Sequence, residues 1–453
     1  MKVLIVSANF LSIKDLPMSP SGAAYIAGAA IKAGHDVSIF DCYAVRDPNR
    51  KLKEKLDQFN PDVVGISIIV VTNDIIDKQT EFGTRYIDLR PEIKNIVNTI
   101  KQNTNAHIVL GGSGFNYFAK DWFDYLNLDY GIRGEGEYSF PLYLKRLKEG
   151  GDIYSIPGCA FKKDGNIHKV ARDWIKDLDN TGYPAYDLFD LAKYKDTPFV
   201  ILTKRGCSFH CTYCPYPSLE GTHYRLKSAK RVVNEIQHLM KISDSATIGF
   251  CDNSFNVPQK HAEAICEEII DHRIEIKWIS ANGFKPLGIT KEFCRLLKAS
   301  GCNYVGLSIE TASEKMLSAM NKGFKIKDVR KSMDNLSNSD IPFGLSILIG
   351  APGETPETIS ETLSIVDNYP QVKRIFVTIG LYLWTHYQKI LDVARQEGQL
   401  KDDRELFNGA YYISPELPKE YMMDFFESLK SRKNCYFQVN KPYSTYRKKV
   451  NGI

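Results

Sequence analysis

The chain has 453 residues, of which 43% are hydrophobic and 25% are charged, an ordinary composition for a folded protein with room for two sizeable cores. The formal net charge of +5 is small and is not concentrated in a basic run, so no nucleic-acid partner is expected. No apolar segment has the length of a membrane span, and Met1–Ser7 reads as a strand rather than as a signal peptide.

Residues 1–145 alternate predicted strands and helices in the doubly wound manner of a Rossmann-like domain. Short apolar runs predict the strands, and a helix rich in small residues is predicted over Ser21–Lys32. The predicted strands are Val3–Val6, His35–Phe40, Val63–Ile68, His107–Leu110 and Tyr130–Ile132. This order indicates a parallel sheet with helices on both faces.

Two glycine-rich turns follow predicted strands, at the edge where α/β sheets bind ligands. The turns comprise Gly111, Gly112, Ser113 and Gly114, and then Gly134, Glu135, Gly136 and Glu137. Neither is a Walker loop, because no Gly-Lys-Ser/Thr follows, and neither matches a dinucleotide fingerprint. By themselves they indicate only a ligand-binding crevice.

Residues 146–196 are dominated by turn-forming residues, and we interpret them as a connector between two domains. From 197 to 386 a second β/α series begins. Its predicted strands are Phe199–Leu202, Ala246–Phe250, Ile276–Ile279, Tyr304–Ile309, Phe343–Ile349 and Arg374–Ile379. Six parallel strands with intervening helices imply a partial (β/α)6 barrel rather than a closed eightfold one.

The last residues, 387–453, are rich in aromatic side chains and are predicted to form a small, mainly helical region. Such a region at the end of a partial barrel can cap its open side and shape a substrate pocket. The alternative is a helical addition whose aromatic residues form an ordinary core. The sequence leaves both interpretations open.

Cys207, Cys211 and Cys214 form a C-x3-C-x2-C triplet just after the first predicted barrel strand. Three thiolates leave one iron of a four-iron cluster without a protein ligand, whereas four would saturate it. A zinc site usually has two separated Cys or Cys/His halves, and three crowded cysteines pair badly as disulfides, so both are less favoured. The other cysteines are scattered, as expected of buried small residues in a reducing cytoplasm, where we expect the protein.

Polar and turn-forming residues follow the predicted barrel strands, where active sites of barrels gather. After the second to fifth strands come, in order, Asp252, Asn253 and Ser254, then Asn282, then Glu310, then Gly350. Ser254 equally suits the N-cap of the next helix, whereas for Glu310 a ligand contact is favoured over a structural ion pair. The neighbours of the triplet, Lys204 and Arg205, are expected to add positive charge that stabilises thiolates.

The triplet, with Tyr213 before its last cysteine, resembles the signature of the radical S-adenosylmethionine (SAM) enzymes. The pattern of Ala33–Val37, Pro61–Ile66, Val109–Gly112 and Gly134–Glu137 resembles the cobalamin-binding domain that precedes many radical SAM modules. The two resemblances cover nearly the whole chain. It is identified on this basis as a member of the cobalamin-dependent radical SAM enzymes.

The resemblance implies a [4Fe-4S] cluster on the three cysteines, together with SAM and cobalamin. The expected SAM contacts are Tyr213, Asp252, Asn253, Ser254, Asn282, Glu310 and Gly350. The expected cobalamin contacts are the two glycine turns and the loop residues Val70, Val71 and Thr72. Relatives with an axial histidine carry D-x-H-x-x-G after the first strand, but Asn9–Lys14 contains no histidine, so base-off cobalamin without an axial histidine is expected.

The chemistry that the resemblance implies is methylation of an unactivated carbon of a small-molecule biosynthetic intermediate, through a 5′-deoxyadenosyl radical and methylcobalamin. An external electron donor such as flavodoxin or ferredoxin is implied as well. One alternative keeps the same cofactors but catalyses a cyclisation, rearrangement or other redox step without methylation. A second alternative is a binding protein that senses cobalamin or redox state.

Overall fold

The computed structural model consists of two α/β units that follow one another along the chain. It describes residues 1–10, 19–69, 72–76, 84–194, 197–243, 247–280, 282–385, 388–432 and 435–439. Among these residues no helix is long and apolar enough to cross a membrane.

The first unit contains strands β1 (Lys2–Ser7), β2 (Asp36–Asp41), β3 (Val63–Ser67), β4 (Thr72–Ile76), β5 (Thr84–Asp88), β6 (His107–Gly111), β7 (Tyr130–Ile132), β8 (Cys159–Lys163) and β9 (Asn166–Lys169). Its helices are α1 (Ser21–Lys32), α2 (Pro48–Phe59), α3 (Arg90–Asn103), α4 (Ser113–Tyr117), α5 (Ala119–Leu126) and α6 (Gly136–Glu149). Seven of the described strands form one sheet in the order β2-β1-β3-β6-β7-β8-β9. β4 and β5 pair only with each other.

The five strands predicted in residues 1–145 are all present, and β1 shows why such apolar runs form strands inside a sheet. In β1, every side chain after Lys2 is buried, as expected for a parallel strand with helices on both sides. Helix α1 has the predicted bounds. The backbone of Tyr183 packs closely against Gly28 of this helix, because a Cβ on Gly28 would lie 1.7 Å from the carbonyl oxygen of Tyr183. The segment near Tyr183 therefore lies directly on α1.

Part of the predicted connector belongs to the first sheet. β8 pairs antiparallel with β7, and β9 pairs antiparallel with β8. The tight turn between β8 and β9 contains Asp164 and Gly165, both with positive φ, which is typical of short hairpins. The turn residues that suggested a linker therefore form a hairpin at the sheet edge.

The second unit contains strands β10 (Phe199–Ile201), β11 (Lys204–Arg205), β12 (Arg225–Leu226), β13 (Thr247–Phe250), β14 (Lys277–Ser280), β15 (Cys302–Glu310), β16 (Phe343–Ile349), β17 (Arg374–Ile379), β18 (Leu381–Tyr382), β19 (Tyr411–Tyr412) and β20 (Cys435–Val439). Its helices are α7 (Tyr216–Glu220), α8 (Ala229–Ile242), α9 (Gln259–Asp271), α10 (Lys291–Ala299), α11 (Glu314–Ala319), α12 (Ile326–Ser337), α13 (Pro356–Asp367), α14 (Gln388–Gln396) and α15 (Lys419–Ser431).

The six predicted barrel strands are present and lie side by side in the order β10-β13-β14-β15-β16-β17, all parallel. A further strand, β20, pairs parallel with β17. The open sheet therefore has seven strands in the described part of the chain, and the last one comes from the region that was predicted to be mainly helical.

The two units pack against each other through aromatic and polar contacts. The rings of Tyr117 and Trp384 lie 4.6 Å apart between centroids, and those of Trp122 and Phe407 lie 5.2 Å apart. On the other side of the interface, the hydroxyl of Tyr25 on α1 donates to the buried carboxylate of Glu235 on α8 at 3.1 Å. The carboxyl ends of β6 and β7 thereby come close to the carboxyl end of β10.

Candidate active site between the two units

The three cysteines of the triplet lie in the loop between β11 and α7. Gly206 begins this loop with a φ of +87°, and a Cβ there would lie 2.0 Å from the carbonyl oxygen of His223, so only glycine fits. Cys207 and Cys211 are buried and Cys214 is half-buried. Burial raises the pKa of the Cys214 thiol to about 12.

All three cysteines line one cavity of about 500 Å³ inside the barrel. Among the described residues, no group of three or more His, Cys, Asp or Glu side chains forms a site for a single metal ion. A four-iron cluster is compatible with this spacing, because each cysteine binds a different iron.

The positive charge expected from Lys204 and Arg205 is directed away from the triplet. Lys204 is fully buried, with its Nζ 3.2 Å from Asp252 Oδ2, and Arg205 donates to both carboxylate oxygens of Glu137. That prediction was wrong, since buried cations pair with the nearest carboxylate. The cation beside the triplet is Lys285, whose Nζ lies 3.9 Å from Cys211 Sγ.

Four of the expected SAM contacts line the cavity that holds the cysteines, namely Tyr213, Asn253, Asn282 and Glu310. Glu310 ends β15 with a φ of +65°, and its Oε1 lies 3.5 Å from Nζ of the fully buried Lys322. The same Nζ donates to the Tyr213 hydroxyl at 2.7 Å. Glu310 therefore belongs to an ion pair and also lines the cavity. The structural ion pair is present, and the position of the residue also permits a ligand contact.

The other three expected SAM contacts lie outside the lining. Both oxygens of Asp252 accept hydrogen bonds, from Thr203 at 2.8 and 2.6 Å and from Lys204 at 3.2 Å. Ser254 donates to Asn256 and accepts from the backbone of Lys285, and it does not cap the next helix, whose N-cap is Pro258. The remaining residue, Gly350, donates its N–H to Glu354. Asp252 and Ser254 thus anchor neighbouring loops through their side chains, and a contact of either residue with SAM stays a prediction.

A second cavity, of about 220 Å³, lies between the carboxyl end of the first sheet and the start of the barrel. Its apolar floor includes Ile5, Ile66 and Leu110. The predicted cobalamin contacts that line it are Gly111, Gly112, Ser113, Gly134, Glu135, Gly136 and Glu137. The second unit contributes Leu202, Arg205, Leu219 and Glu220. No histidine is found among the described residues of this lining.

Two glycines of this second cavity are positions where a side chain would collide. A Cβ on Gly112, whose φ is +91°, would lie 2.3 Å from the carbonyl oxygen of Ile68. A Cβ on Gly136 would lie 2.4 Å from the terminal methyl of Ile26. Gly114 is outside the lining, and its carbonyl accepts from the indole of Trp122.

Of the three predicted cobalamin contacts in the loop after β3, only Thr72 lies within the described residues. Val70 and Val71 lie outside the described residues, as do residues 11–18, which include most of the turn without a histidine. Thr72 begins β4. The role of this loop toward cobalamin stays a prediction.

The two glutamates of the second glycine turn join the units through buried ion pairs, which we call the Glu-Arg clamp: Glu135, Glu137, Arg205 and Arg225. Arg225 Nη2 lies 2.6 Å from Glu135 Oε1, and Arg205 Nη1 lies 3.3 Å from the same oxygen. Burial raises the pKa of Glu137, but the Arg205 charge outweighs burial and holds that pKa below its ordinary value. The clamp ties a turn of the first unit to the residue two places before Cys207.

A short helix, α7, separates the two cavities. Tyr216 at its start lines the cavity with the cysteines, whereas Leu219 and Glu220 at its end line the cavity of the first sheet. The amide of Asn253 donates to Glu220 Oε2 at 2.8 Å, so one hydrogen bond joins the linings of the two cavities. Burial raises the pKa of Glu220. The wall between the cavities is therefore one helical turn plus this polar contact.

Four further residues of the site were missed from sequence: Lys285, Lys322, Arg225 and Glu220. Each is a charged residue whose partner is distant in the chain or on another loop. The only local signal is for Glu220, which follows the triplet closely. The other three become visible only once the strands are assembled.

Comparison with known families agrees with this geometry. Residues 201–366 match the radical SAM superfamily, and residues 15–144 match the B12 binding domain. The two matches coincide with the barrel and with the sheet that carries the glycine turns. The chain belongs to the radical SAM enzymes that carry a B12 binding domain.

Particular relatives extend over most of the chain. An uncharacterized methyltransferase of Pyrococcus horikoshii is 29% identical over 81% of this chain and 78% of that protein. An anaerobic magnesium-protoporphyrin IX monomethyl ester cyclase of Cereibacter sphaeroides is 24% identical over 76% of this chain and 55% of that protein. The solved structure of the radical SAM methyltransferase TsrM from Kitasatospora setae, with cobalamin and a [4Fe-4S] cluster bound, shares the fold with a TM-score of 0.77 at 21% identity, over 92% of this chain and 84% of that chain.

Proposed function

We propose that the protein is a cobalamin-dependent radical SAM methyltransferase that methylates an unactivated carbon of a small molecule. The observation that carries the proposal is the pair of cavities on the two sides of α7, one lined by the three cysteines and the other by the glycine turns. Methyl transfer of this kind needs both cofactors close to one substrate. A cavity pair divided by one short helix meets that need.

The residues of the first cavity fit a cluster and SAM. Soft thiolates suit iron, and Cys207, Cys211 and Cys214 leave one iron open. Tyr213 and Asn282 would flank SAM, and Glu310 offers a carboxylate to its amino or ribose groups. When bound, these cofactors supply a one-electron cleavage of SAM and a carrier for its methyl group.

The residues of the second cavity fit part of cobalamin. A volume of about 220 Å³ between apolar strands is too small for a corrin ring but suits the aromatic base of the nucleotide tail. The close backbone approaches at Gly112 and Gly136 leave that slot open. We propose base-off binding, because a base held in this slot between the strands would not be free to bind cobalt as its lower ligand. An electron paramagnetic resonance (EPR) spectrum of the cob(II)alamin form without nitrogen splitting from an axial ligand supports this.

The chain's own residues position the reactants and exclude water. The Glu-Arg clamp fixes the second glycine turn against the start of the cluster loop. On the opposite side, the tilted rings of Tyr117 and Trp384 pack against each other across the interface. Asn253 holds the buried Glu220 at the wall between the cavities. Contacts between the two units therefore lie on both sides of the region that contains the two cavities.

The substrate class follows from the size of the space and from the relatives. We infer a small-molecule substrate and an external one-electron donor such as flavodoxin or ferredoxin. None of the described residues beyond 386 lines either of these two cavities. The capping role of residues 387–453 therefore stays a prediction, and so does a cytoplasmic location.

The test is anaerobic reconstitution with iron, sulfide and cobalamin, followed by reduction in the presence of SAM. Chromatography then measures 5′-deoxyadenosine and S-adenosylhomocysteine. We expect both products from the wild type and no 5′-deoxyadenosine from Cys211→Ala. Cys294→Ala is the matched control, because Cys294 is a buried free cysteine on α10, away from the site. A fully loaded wild type that forms neither product would contradict an enzymatic role and favour the sensor.

A second candidate keeps the cofactors but does not methylate, and the similarity to the cyclase of Cereibacter sphaeroides favours keeping it. Its signature is 5′-deoxyadenosine without S-adenosylhomocysteine from protein that retains cobalamin. With candidate substrates, a product heavier by one methyl group in place of hydrogen distinguishes the first candidate from the second.

A further inference from the structure

Lys285 places a buried ammonium group beside the cluster loop. The residue follows β14 and is 7% exposed, and its backbone N–H is fixed by Asn256 Oδ1 at 2.9 Å. Its Nζ lies 3.9 Å from Cys211 Sγ and 4.7 Å from the centroid of the Phe209 ring. The Phe324 ring lies 5.9 Å away on another side. The ammonium is thus enclosed by two aromatic rings and a thiol.

Other buried cations of the second unit have carboxylate partners. The pairs are Lys204 with Asp252 at 3.2 Å, Arg205 with Glu137, Lys227 with Glu235 at 2.7 Å, and Lys322 with Glu310 at 3.5 Å. Lys285 differs: in the ranges that the structure describes, no oxygen accepts a hydrogen bond from its Nζ. A buried ammonium without an anion is costly. Lys285 also lines the cavity that holds the three cysteines, so an anion bound there beside Cys211 would offset this cost.

We infer that Lys285 is the countercharge of the iron–sulfur cluster and that its ammonium raises the reduction potential of the cluster. The inference rests on the proposed function in one respect, that the three cysteines bind a cluster. A cluster held by three thiolates is anionic and becomes more so when it accepts one electron from a donor. A fixed positive charge nearby stabilises the reduced form, and charge near the sulfurs is one of the factors that set such potentials.

The aromatic surroundings strengthen this effect. Phe209 and Phe324 displace water from the part of the ammonium's surroundings that does not face the cavity, so its field on the cluster is less screened than it would be in solvent. The Nζ of Lys322 lies 5.5 Å from the centroid of the same Phe324 ring, but its charge is balanced by Glu310. Lys285 and Lys322 can therefore be compared directly, because both lie beside Phe324 but only the charge of Lys322 is balanced by a carboxylate in the described residues.

The test is a redox titration of the reconstituted cluster, followed by EPR without SAM or cobalamin, in full-length protein. Lys285→Met removes the charge, and Lys285→Arg keeps it. The double variant Lys322→Met/Glu310→Gln removes one charge of each sign next to the same ring and is the matched control. We expect Lys285→Met to lower the ratio of reduced to oxidised cluster about tenfold at a fixed potential, which corresponds to about 59 mV for one electron.

The arginine variant and the double control are expected to stay near the wild-type potential. Loss of the cluster from Lys285→Met but not from Lys285→Arg would also support the inference, because the charge would then be needed to hold the anion. An unchanged potential in Lys285→Met overturns it, and so does an equal shift in the double control or an effect that emerges only with SAM. A wild type that takes up no cluster refutes the proposed function itself, which is a different result.

Discussion

Glu137→Gln tests whether the two units are held together by the Glu-Arg clamp. Arg205 has only 10% of its side chain exposed and donates to both carboxylate oxygens of Glu137, with Glu135 as its second partner at 3.3 Å. Glutamine keeps the shape of Glu137 but removes its charge. Arg205 would then be buried with one carboxylate that it must also share with Arg225.

The magnitude follows from the burial of the pair. Removing one partner of a buried ion pair costs about 3–5 kcal/mol, and a single hydrogen bond to a charged group contributes about 1.5–3 kcal/mol. Because Glu135 remains and glutamine still accepts one hydrogen bond, we expect the free energy of unfolding to fall by about 2–3 kcal/mol. Urea unfolding at pH 7, followed by circular dichroism, measures this difference.

The control is Glu54→Gln on α2, where the carboxylate pairs with Arg50 and Lys51 at an exposed surface. No measurable change is expected there, because exposed ion pairs contribute little. If both variants unfold at the wild-type urea concentration, the clamp does not stabilise the association of the units. Equal losses in both variants would refute the reasoning from burial.

The pH dependence gives an independent check of sign. The pKa of Glu137 is held below its ordinary value of 4.5, so its contribution is present above that pH and is lost as the pH falls further. The stability difference between wild type and Glu137→Gln should therefore be constant above about pH 5.5 and shrink below about pH 4.5. A difference that grows toward acid pH would contradict the assignment.

Two further predictions concern single positions. Gly112→Ala should lower the free energy of unfolding by about 2 kcal/mol, because its Cβ meets the carbonyl of Ile68 at positive φ. In Gly136→Ala the clash is with the movable methyl of Ile26, so the loss of stability should be smaller. Urea unfolding of both variants compares the two losses. Burial raises the pKa of Glu354 from 4.5 to about 7, so stability should be full below pH 4.5 and fall by about 3 kcal/mol as the pH rises past 7, and Glu354→Gln should abolish this slope.

The parts of the site that could be predicted from sequence are those encoded locally. The triplet spacing, the glycine turns and the apolar strands each depend on residues within a few positions. By contrast, Asp252 looked like a ligand contact, yet it anchors Thr203 and Lys204 across the start of the barrel. The local sequence pattern is the same whether the polar side chain after a strand faces the cavity or its own loop. Sequence alone therefore does not decide between these two orientations.

The missed features share a physical origin in pairing between distant segments. The β8–β9 hairpin and β20 gain their stability by joining the edges of sheets built elsewhere. Lys285 reads as an ordinary surface lysine until Phe209 and Phe324 enclose it. Such burial depends on contacts that no local pattern of apolar residues records.

The shortness of α7 has a consequence for how such enzymes diversify. The segment 207–220 contains the three cysteines and helix α7, which ends at Glu220. Inserting or deleting one residue in α7 would shift the residues that line one cavity by about 1.5 Å along the helix axis relative to those that line the other, and would rotate the helix. Spacing within this segment is therefore under tight constraint. Changes that leave the two cavities in their present relation would therefore have to fall outside this segment.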